Sequence, residues 1–379
     1  MSSLPSLTII SHTPHYYNIH GEVVGLEPTL REINQLSLIF DTIYHIAPLY
    51  KGRPHKATIK YTFDEIIFIP LIPTGGKSIL NKLGIIFFLP YNLFHICKII
   101  RRVDWIHFRA PTNLGIYVLP LLSIYRNKRK WIKYAGNWSQ KSIPISYKLQ
   151  RWWLRNNFQN SKVTINGSVN RQKSHLIPFY NPCLTEKEIN FNKEVGSRKN
   201  FNGKLTFCFV GRLEKSKGLP ALLKAFDNLN KITWIDKLHC VGEIVDEKII
   251  SKYDSSDKSS IVFHGILDRL RLNTIYAESH FIILPSESEG FPKVLAEASS
   301  FGCIPIFPPI KSILLQFNDT KKNGLVLKNI TSQGIIETIE NLQLKRGEFS
   351  EFSKNAMKGI NEFSYEVYNK RILNEIIQN

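Results

Sequence analysis

The chain has 379 residues, of which 43% are hydrophobic and 12% aromatic, with 21 Gly and 19 Pro. This composition excludes disordered, collagen-like and disulfide-stapled proteins and leaves room for two domains with cores of their own. Lys and Arg number 50 against 31 Asp and Glu, a formal charge of +19, which raises the question of a nucleic-acid partner. The surplus is uneven. Residues 1–200 hold 27 basic and 10 acidic residues (+17), whereas residues 201–379 hold 23 and 21 (+2). Two domains with different partners follow from that asymmetry. Cys97, Cys183, Cys208, Cys240 and Cys303 form no CxxC pair, and no two are closer than 25 residues. They read as reduced, buried thiols of a cytoplasmic protein, and the N-terminal Met-Ser-Ser-Leu-Pro-Ser has no signal-peptide pattern.

In chain order, Leu7–Ile10 predicts a strand, 11–25 a loop carrying His12, His15, His20, Gly21 and Gly25, and 29–40 a helix. Strands are expected at 42–47, 66–71, 105–108, 130–135 and 162–166. Residues 184–204 are polar and read as an interdomain linker between an N-terminal domain, 1–183, and a C-terminal one, 205–362. A second series begins with the strand Leu205–Val210 and a helix over 219–229, then strands at 237–241, 261–263 and 281–284. Strand–helix alternation in both halves predicts α/β architecture with two Rossmann-like, doubly wound parallel sheets and a cleft between them. The last segment, 363–379, is expected to be a helix crossing back to the N-terminal domain.

Two apolar stretches, 83–97 and 110–125, are too short and too interrupted to span a bilayer. Each is followed by cations, Lys98, Arg101 and Arg102 after the first and Arg126–Lys133 after the second, and Trp152 and Trp153 lie among Lys148, Arg151 and Arg155. Basic residues beside aromatics suit a peripheral contact with an anionic membrane, and buried helices of a soluble domain are the plainer alternative.

The chemistry concentrates in two segments. In Phe209-Val-Gly-Arg-Leu-Glu-Lys-Ser-Lys-Gly218 a strand ends at Gly211, and Arg212 and Lys217 stand in the turn before a helix. A guanidinium fork, an ammonium and a helix N-terminus together suit a diphosphate, unless the turn is merely solvated and basic. In 284–298 a strand stops at Pro285, and Glu289, Gly290 and Phe291 precede a helix bearing Glu297. Carboxylates there can hold sugar hydroxyls, or serve as a helix-stabilising acid and a surface residue.

Glu289 and Glu297, with seven residues between them in Glu-Gly-Phe-Pro-Lys-Val-Leu-Ala-Glu, resemble the E-x7-E motif of retaining GT-B glycosyltransferases of family 4, the group 1 glycosyltransferases of bacterial surface-polysaccharide synthesis. Val210–Gly218 resembles the family's diphosphate segment, 304–306 its next strand and Asn323–Val326 its later Asn-Gly element. The resemblance covers about 205–379; the N-terminal half matches only in plan. It implies Arg212 and Lys217 as supports of the leaving diphosphate, Glu289 at the donor sugar, Glu297 at the ribose, and Gly211, Gly290 and Phe291 lining the donor. It implies retention of anomeric configuration. Pro292 stands where many relatives carry Gly, and a Gly-Gly pair is missing from the first loop, where Gly21 and Gly25 are four apart.

No Asp-x-Asp occurs in the chain, so no metal or other cofactor is expected, and the cations would stabilise the leaving group instead. Thr74-Gly-Gly-Lys-Ser78 ends like a P-loop but lacks its first glycine. Gly21, His107, Arg109 and Asn137 are candidates for the acceptor side, the last three as residues expected at strand ends. The partners expected are a nucleotide sugar and a glycan or lipid-linked acceptor at the inner face of the cytoplasmic membrane. No nucleic acid is expected, since no reader motif is present. Another GT-B enzyme (a nucleotide-sugar epimerase or a phosphorylase), a basic nucleic-acid binder and an inactive scaffold are the competing readings.

Overall fold

The computed structural model describes residues 4–378 apart from 55–56, 75–83, 141–142, 167–172 and 255–259. All of Thr74–Ser78 except Thr74, and the first residue of the apolar stretch 83–97, thus lie outside the described residues. The chain divides into two compact units, one of residues 1–181 with 368–379 and the other Pro182–Val367.

The first unit holds ten strands among the described residues: β1 (Leu7–Ile10), β2 (His15–Tyr17), β3 (Val23–Leu26), β4 (Ile43–Pro48), β5 (Thr58–Lys60), β6 (Ile66–Leu71), β7 (Trp105–Ala110), β8 (Arg129–Asn137), β9 (Lys162–Asn166) and β10 (Leu176–Pro178). Seven form a sheet in the order β10-β9-β8-β7-β1-β4-β6, every neighbouring pair parallel. Its central strands are buried on both faces, which is why they read as unbroken apolar runs. Helices Leu89–Ile100, Gly115–Ile124 and Ile145–Arg155 pack through Ile96, Ile100, Val118, Leu122 and Leu154 into one core. The second core of this unit gathers Ile33 and Leu36 of helix Glu27–Leu36 with Tyr368, Ile372 and Ile376.

Two expectations are corrected in this unit. The segment 11–25 is not a plain loop, because β2 and β3 form an antiparallel hairpin that pairs with β5. The helix expected over 29–40 is Glu27–Leu36, started by Pro28 in the first turn, where its missing N–H is no loss.

The second unit carries β11 (Leu205–Val210), β12 (Ile235–Val241), β13 (Ile261–Gly265), β14 (Phe281–Ile283), β15 (Ile304–Phe307) and β16 (Leu325–Val326). They lie in the order β13-β12-β11-β14-β15-β16, all parallel. Numbered within the unit this is 3-2-1-4-5-6, the order of dinucleotide-binding sheets, and it reverses direction between β11 and β14. Helix Leu219–Leu229 buries Leu219, Leu222, Leu223, Phe226 and Leu229, an i, i+3, i+4, i+7 stripe.

The expected linker 184–204 contains helix Glu186–Ser197, which belongs to this unit. A capping box starts it: Glu188 N–H donates to Thr185 Oγ1 at 3.1 Å, and Thr185 N–H to Glu188 Oε2 at 2.7 Å. Its buried face is Ile189, Asn192 and Gly196. Asn192 donates to Ser300 Oγ at 2.9 Å, and a Cβ on Gly196 would lie 2.6 Å from the Phe301 carbonyl carbon. A helix docked through Asn and Gly has no apolar period to betray it, and its composition imitates a linker.

Candidate functional site

Ligands of open α/β sheets bind beyond the carboxyl ends of the strands where the order reverses. In the second unit that point lies between β11 and β14, and each strand runs directly into one of the two motif segments. After β11, Gly211 N–H donates to the Val241 carbonyl at 2.9 Å, and a single 3-10 turn, Lys215–Lys217, leads to Gly218. Gly218 has φ 74° and begins helix Leu219–Leu229, and a Cβ there would lie 2.1 Å from the Pro285 carbonyl oxygen. Only glycine lets the two loops touch through their backbones. The Glu287 N–H points at the Ser216 carbonyl, 3.5 Å away, across the same seam.

That seam joins two of the predicted residues. Lys217 Nζ donates to Glu289 Oε1 at 2.5 Å, with side chains 24% and 12% exposed. Ser312 Oγ donates to the Glu289 carbonyl at 3.2 Å. Arg212 stands further out and pairs with Glu214 at 2.7 Å, and Ser216 Oγ donates to the same Glu214 carboxylate at 2.6 Å. Arg212 and Lys217 therefore each face a carboxylate. Gly290 is half-buried, and Phe291 is buried and stacked on Phe363 with centroids 4.7 Å apart. Glu297 lies on helix Lys293–Ser300, where its Oε1 accepts from Arg269 and its Oε2 from Tyr276, both at 3.3 Å. Pro292 is the N-cap of that helix.

The acceptor-side candidates, all in the first unit, are not brought together. Gly21, at φ 75°, completes the β2–β3 turn and donates to the Asn18 carbonyl at 3.1 Å. Asn137 is the last residue of β8 and accepts from Ser139 N–H at 3.0 Å, so the strand extends two residues past the expected end. His107 and Arg109 were expected at a strand end; β7 runs to Ala110, so His107 lies inside the strand and Arg109 is its penultimate residue. His107 is fully buried, stacked on Trp131 at 3.8 Å, and donates through Nδ1 to the Trp131 carbonyl at 3.1 Å. Burial, reinforced by the Arg109 charge, pushes its pKa down to about 3 and keeps the ring neutral. Arg109 donates to Glu32 Oε1 at 2.7 Å; Lys133 does the same at 2.7 Å and Tyr368 at 3.1 Å. This buried hub explains Arg109 as a core ion pair of its unit.

Sequence reasoning also left His15 open. It belongs to a polar chain within its unit. His15 Nε2 and His45 Nδ1 meet the Tyr61 hydroxyl at 2.8 and 2.6 Å, and His45 Nε2 meets Ser11 Oγ at 2.8 Å. No short-range motif links these residues, and none marks Glu32, Arg269 or Tyr276 either. Glu214 was visible two residues after Arg212.

The two parallel sheets, each wound about a reversal point, define an α/β fold of the GT-B class, and solved structures share it. A glycosyltransferase from Rickettsia africae aligns over 100% of both chains at 17% identity and TM-score 0.66. Anabaena HepE in complex with UDP aligns over 99% of this chain and 100% of its own, at 13% identity and TM-score 0.68. Residues 190–359, all of them in the second unit, match the family described as glycosyl transferases group 1. The chain is 20% identical over 250 residues to an uncharacterized 41.2 kDa protein in the cps region of Klebsiella pneumoniae, covering 64% of this chain and 66% of that one. It is 22% identical over 203 residues to the alpha-galactosylglucosyldiacylglycerol synthase of Streptococcus pneumoniae, covering 53% and 52%. The matched regions thus span between half and two thirds of these relatives' lengths.

Proposed function

We propose that this protein is a retaining, metal-independent glycosyltransferase of family 4. It would move a sugar from a nucleotide-diphosphate donor to a glycan or lipid-linked glycan acceptor of the bacterial cell surface. The Lys217–Glu289 contact across the β11/β14 reversal carries this reading, because it sets side by side the cation that the reading assigns to the diphosphate and the carboxylate that it assigns to the sugar. A bound donor replaces that internal pairing. Lys217 turns to the diphosphate with Arg212 and the N-terminus of helix Leu219–Leu229, and Glu289 is released to the hydroxyls of the sugar. As the bond from the anomeric carbon to the phosphate oxygen breaks, the cations stabilise the departing charge. The acceptor oxygen bonds to the same face, and its proton passes to the departing phosphate.

The diacylglycerol glycolipid synthase among the relatives and the protein from a cps region support a lipid-borne or surface-glycan acceptor. The exposed apolar and basic residues of the first unit support it too. Helix Gly115–Ile124 is apolar all round, yet Ile116 is 46% and Ile124 77% exposed. Phe87, Phe94, Ile145 and Trp152 are exposed on or beside the helices packed into the same core, and Arg101, Arg102, Arg126, Lys148 and Arg155 are exposed on or next to the same helices in sequence. Apolar tips amid cations fit an anionic bilayer surface. No helix among the described residues is long and apolar enough to cross a membrane.

A thermal-shift screen of UDP-, GDP- and ADP-sugars tests the donor claim: one should stabilise the protein, and Arg212→Ala should remove the effect. Activity abolished by EDTA and restored by Mn²⁺ would overturn the metal-independent reading, and an inverted anomeric signal by NMR the retaining one. Flotation tests the surface. Binding should favour vesicles rich in phosphatidylglycerol over neutral ones and weaken in Ile145→Asp/Trp152→Ser, and equal binding to both vesicle types sinks the membrane claim.

A further inference from the structure

Glu297 is gripped from behind. Arg269 opens helix Arg269–Glu278 after its N-cap Asp268, and Tyr276 lies seven residues on, on the same face. From that face Arg269 Nη1 reaches Glu297 Oε1 and Tyr276 Oη reaches Oε2, each at 3.3 Å, so each carboxylate oxygen takes one donor. Arg269 is held in turn. Its Nε stands 3.3 Å from Glu188 Oε1, and its Nη2 faces the Cys183 carbonyl at 3.5 Å. Glu188 is itself fixed by the capping box of helix Glu186–Ser197. Tyr276 is almost wholly buried, and burial together with the Glu297 charge drives its pKa far up, so its hydroxyl stays a donor.

We infer that Arg269 and Tyr276 are positioning residues that present Glu297 to a vicinal diol, the 2′- and 3′-hydroxyls of the donor's ribose. A carboxylate offers about four acceptor directions. With one on each oxygen occupied from the helix side, one on each remains, and two adjacent hydroxyls match that pair. A lone Glu on a helix samples several rotamers and loses that freedom when it binds. A Glu clasped at both oxygens is already ordered. The segment that looked like a linker thereby reaches the donor site through Glu188 and Arg269. The inference rests on the proposed role of Glu297 and adds what orients it.

Calorimetric titration with UDP and with 2′,3′-dideoxy-UDP tests it, or with the matching GDP or ADP pair if the screen selects that base. Wild type should bind the diol-bearing nucleotide about tenfold tighter or better, the scale of hydrogen bonds to a charged group. Glu297→Ala should erase that preference. Arg269→Met and Tyr276→Phe should each cut it severalfold while leaving the dideoxy affinity within about twofold, with Arg269→Lys intermediate. In turnover assays the same variants should raise KM for the donor more than they lower kcat. A wild type without preference would refute the role of Glu297 and this inference with it. A wild-type preference lost in Glu297→Ala but kept in full by both Arg269→Met and Tyr276→Phe would refute the inference alone. So would equal weakening of both nucleotides, the mark of a merely structural role. Tyr276→Phe removes one oxygen, so the test survives if Arg269→Met does not fold.

Discussion

Gly218→Ala should separate the two loops that meet at the β11/β14 reversal. The residue sits at φ 74°, ψ 11°, where any side chain costs about 1–2 kcal/mol. The added Cβ would stand 2.1 Å from the Pro285 carbonyl oxygen, a backbone atom that cannot swing aside. Opening that contact by the necessary ~1 Å is overpacking of the kind that costs about 1–3 kcal/mol. The sum is roughly 2–5 kcal/mol, or on the order of 5–15 °C in the melting temperature of a unit this size. Differential scanning fluorimetry reads the melt. Hydrogen exchange reads the seam itself, where the Glu287 amide faces the Ser216 carbonyl at 3.5 Å and should lose protection first. An alanine variant melting within about 2 °C of wild type, with Glu287 exchange unchanged, would refute the close-approach reasoning.

Removing the carboxylate in Glu32→Ala strands the charges of Arg109 and Lys133 inside the first unit and should cost about 3–5 kcal/mol in urea unfolding. Adding Lys133→Met should recover at least about 1 kcal/mol of it, a coupling that a double-mutant cycle measures. Glu214→Gln frees the exposed Arg212 from its 2.7 Å partner. Stability should change by less than about 1 kcal/mol, while pyrophosphate, measured by calorimetry, should bind severalfold tighter. His15 and His239, held at about 4, and His107, at about 3, are kept neutral chiefly by burial, with a folded pKa below the unfolded 6.5. Unfolding then takes up protons, so stability is full above about pH 6.5 and falls as pH drops toward 4, by about 1.4 kcal/mol per pH unit for each proton gained. Melting temperatures from pH 7.5 to 4.5 check this, and a flat profile would contradict it.

The strands of the second unit were legible because they are buried on both faces: Leu205–Val210 has no polar residue except Thr206 to blur its limits. The two candidate loops were legible because their chemistry is local, with Arg212, Lys217, Glu289 and Glu297 each within a short segment beside a strand end. The clasp and the core ion pair were not. Glu32 meets Arg109 77 residues later and Lys133 101 later, and only the packing of the unit decides such pairings. The partners of His107 and Arg109 were hidden for a related reason. Their place near the C-terminal end of a strand was readable, but the Trp131 ring stacked on His107 and the buried Glu32 carboxylate that pairs with Arg109 come from distant segments. The hairpin in 11–25 escaped notice because its strands are three and four residues long, too short for alternation to register.

Because residues 368–379 belong with 1–181, the second unit is an insertion into the first. Residues 1–181 leave the ribosome before the second unit, yet Tyr368, Ile372 and Ile376 of the same core are made only after it. Until they arrive, the apolar face made by Ile33, Leu36 and Trp131 is uncovered, and the Glu32 hub lacks one of its three donors. The contiguous second unit can complete its folding first, and the first unit is sealed only after the whole second unit has been made. Removing residues 368–379 would therefore leave an aggregation hazard in residues 1–181, although the cut lies far from them in sequence.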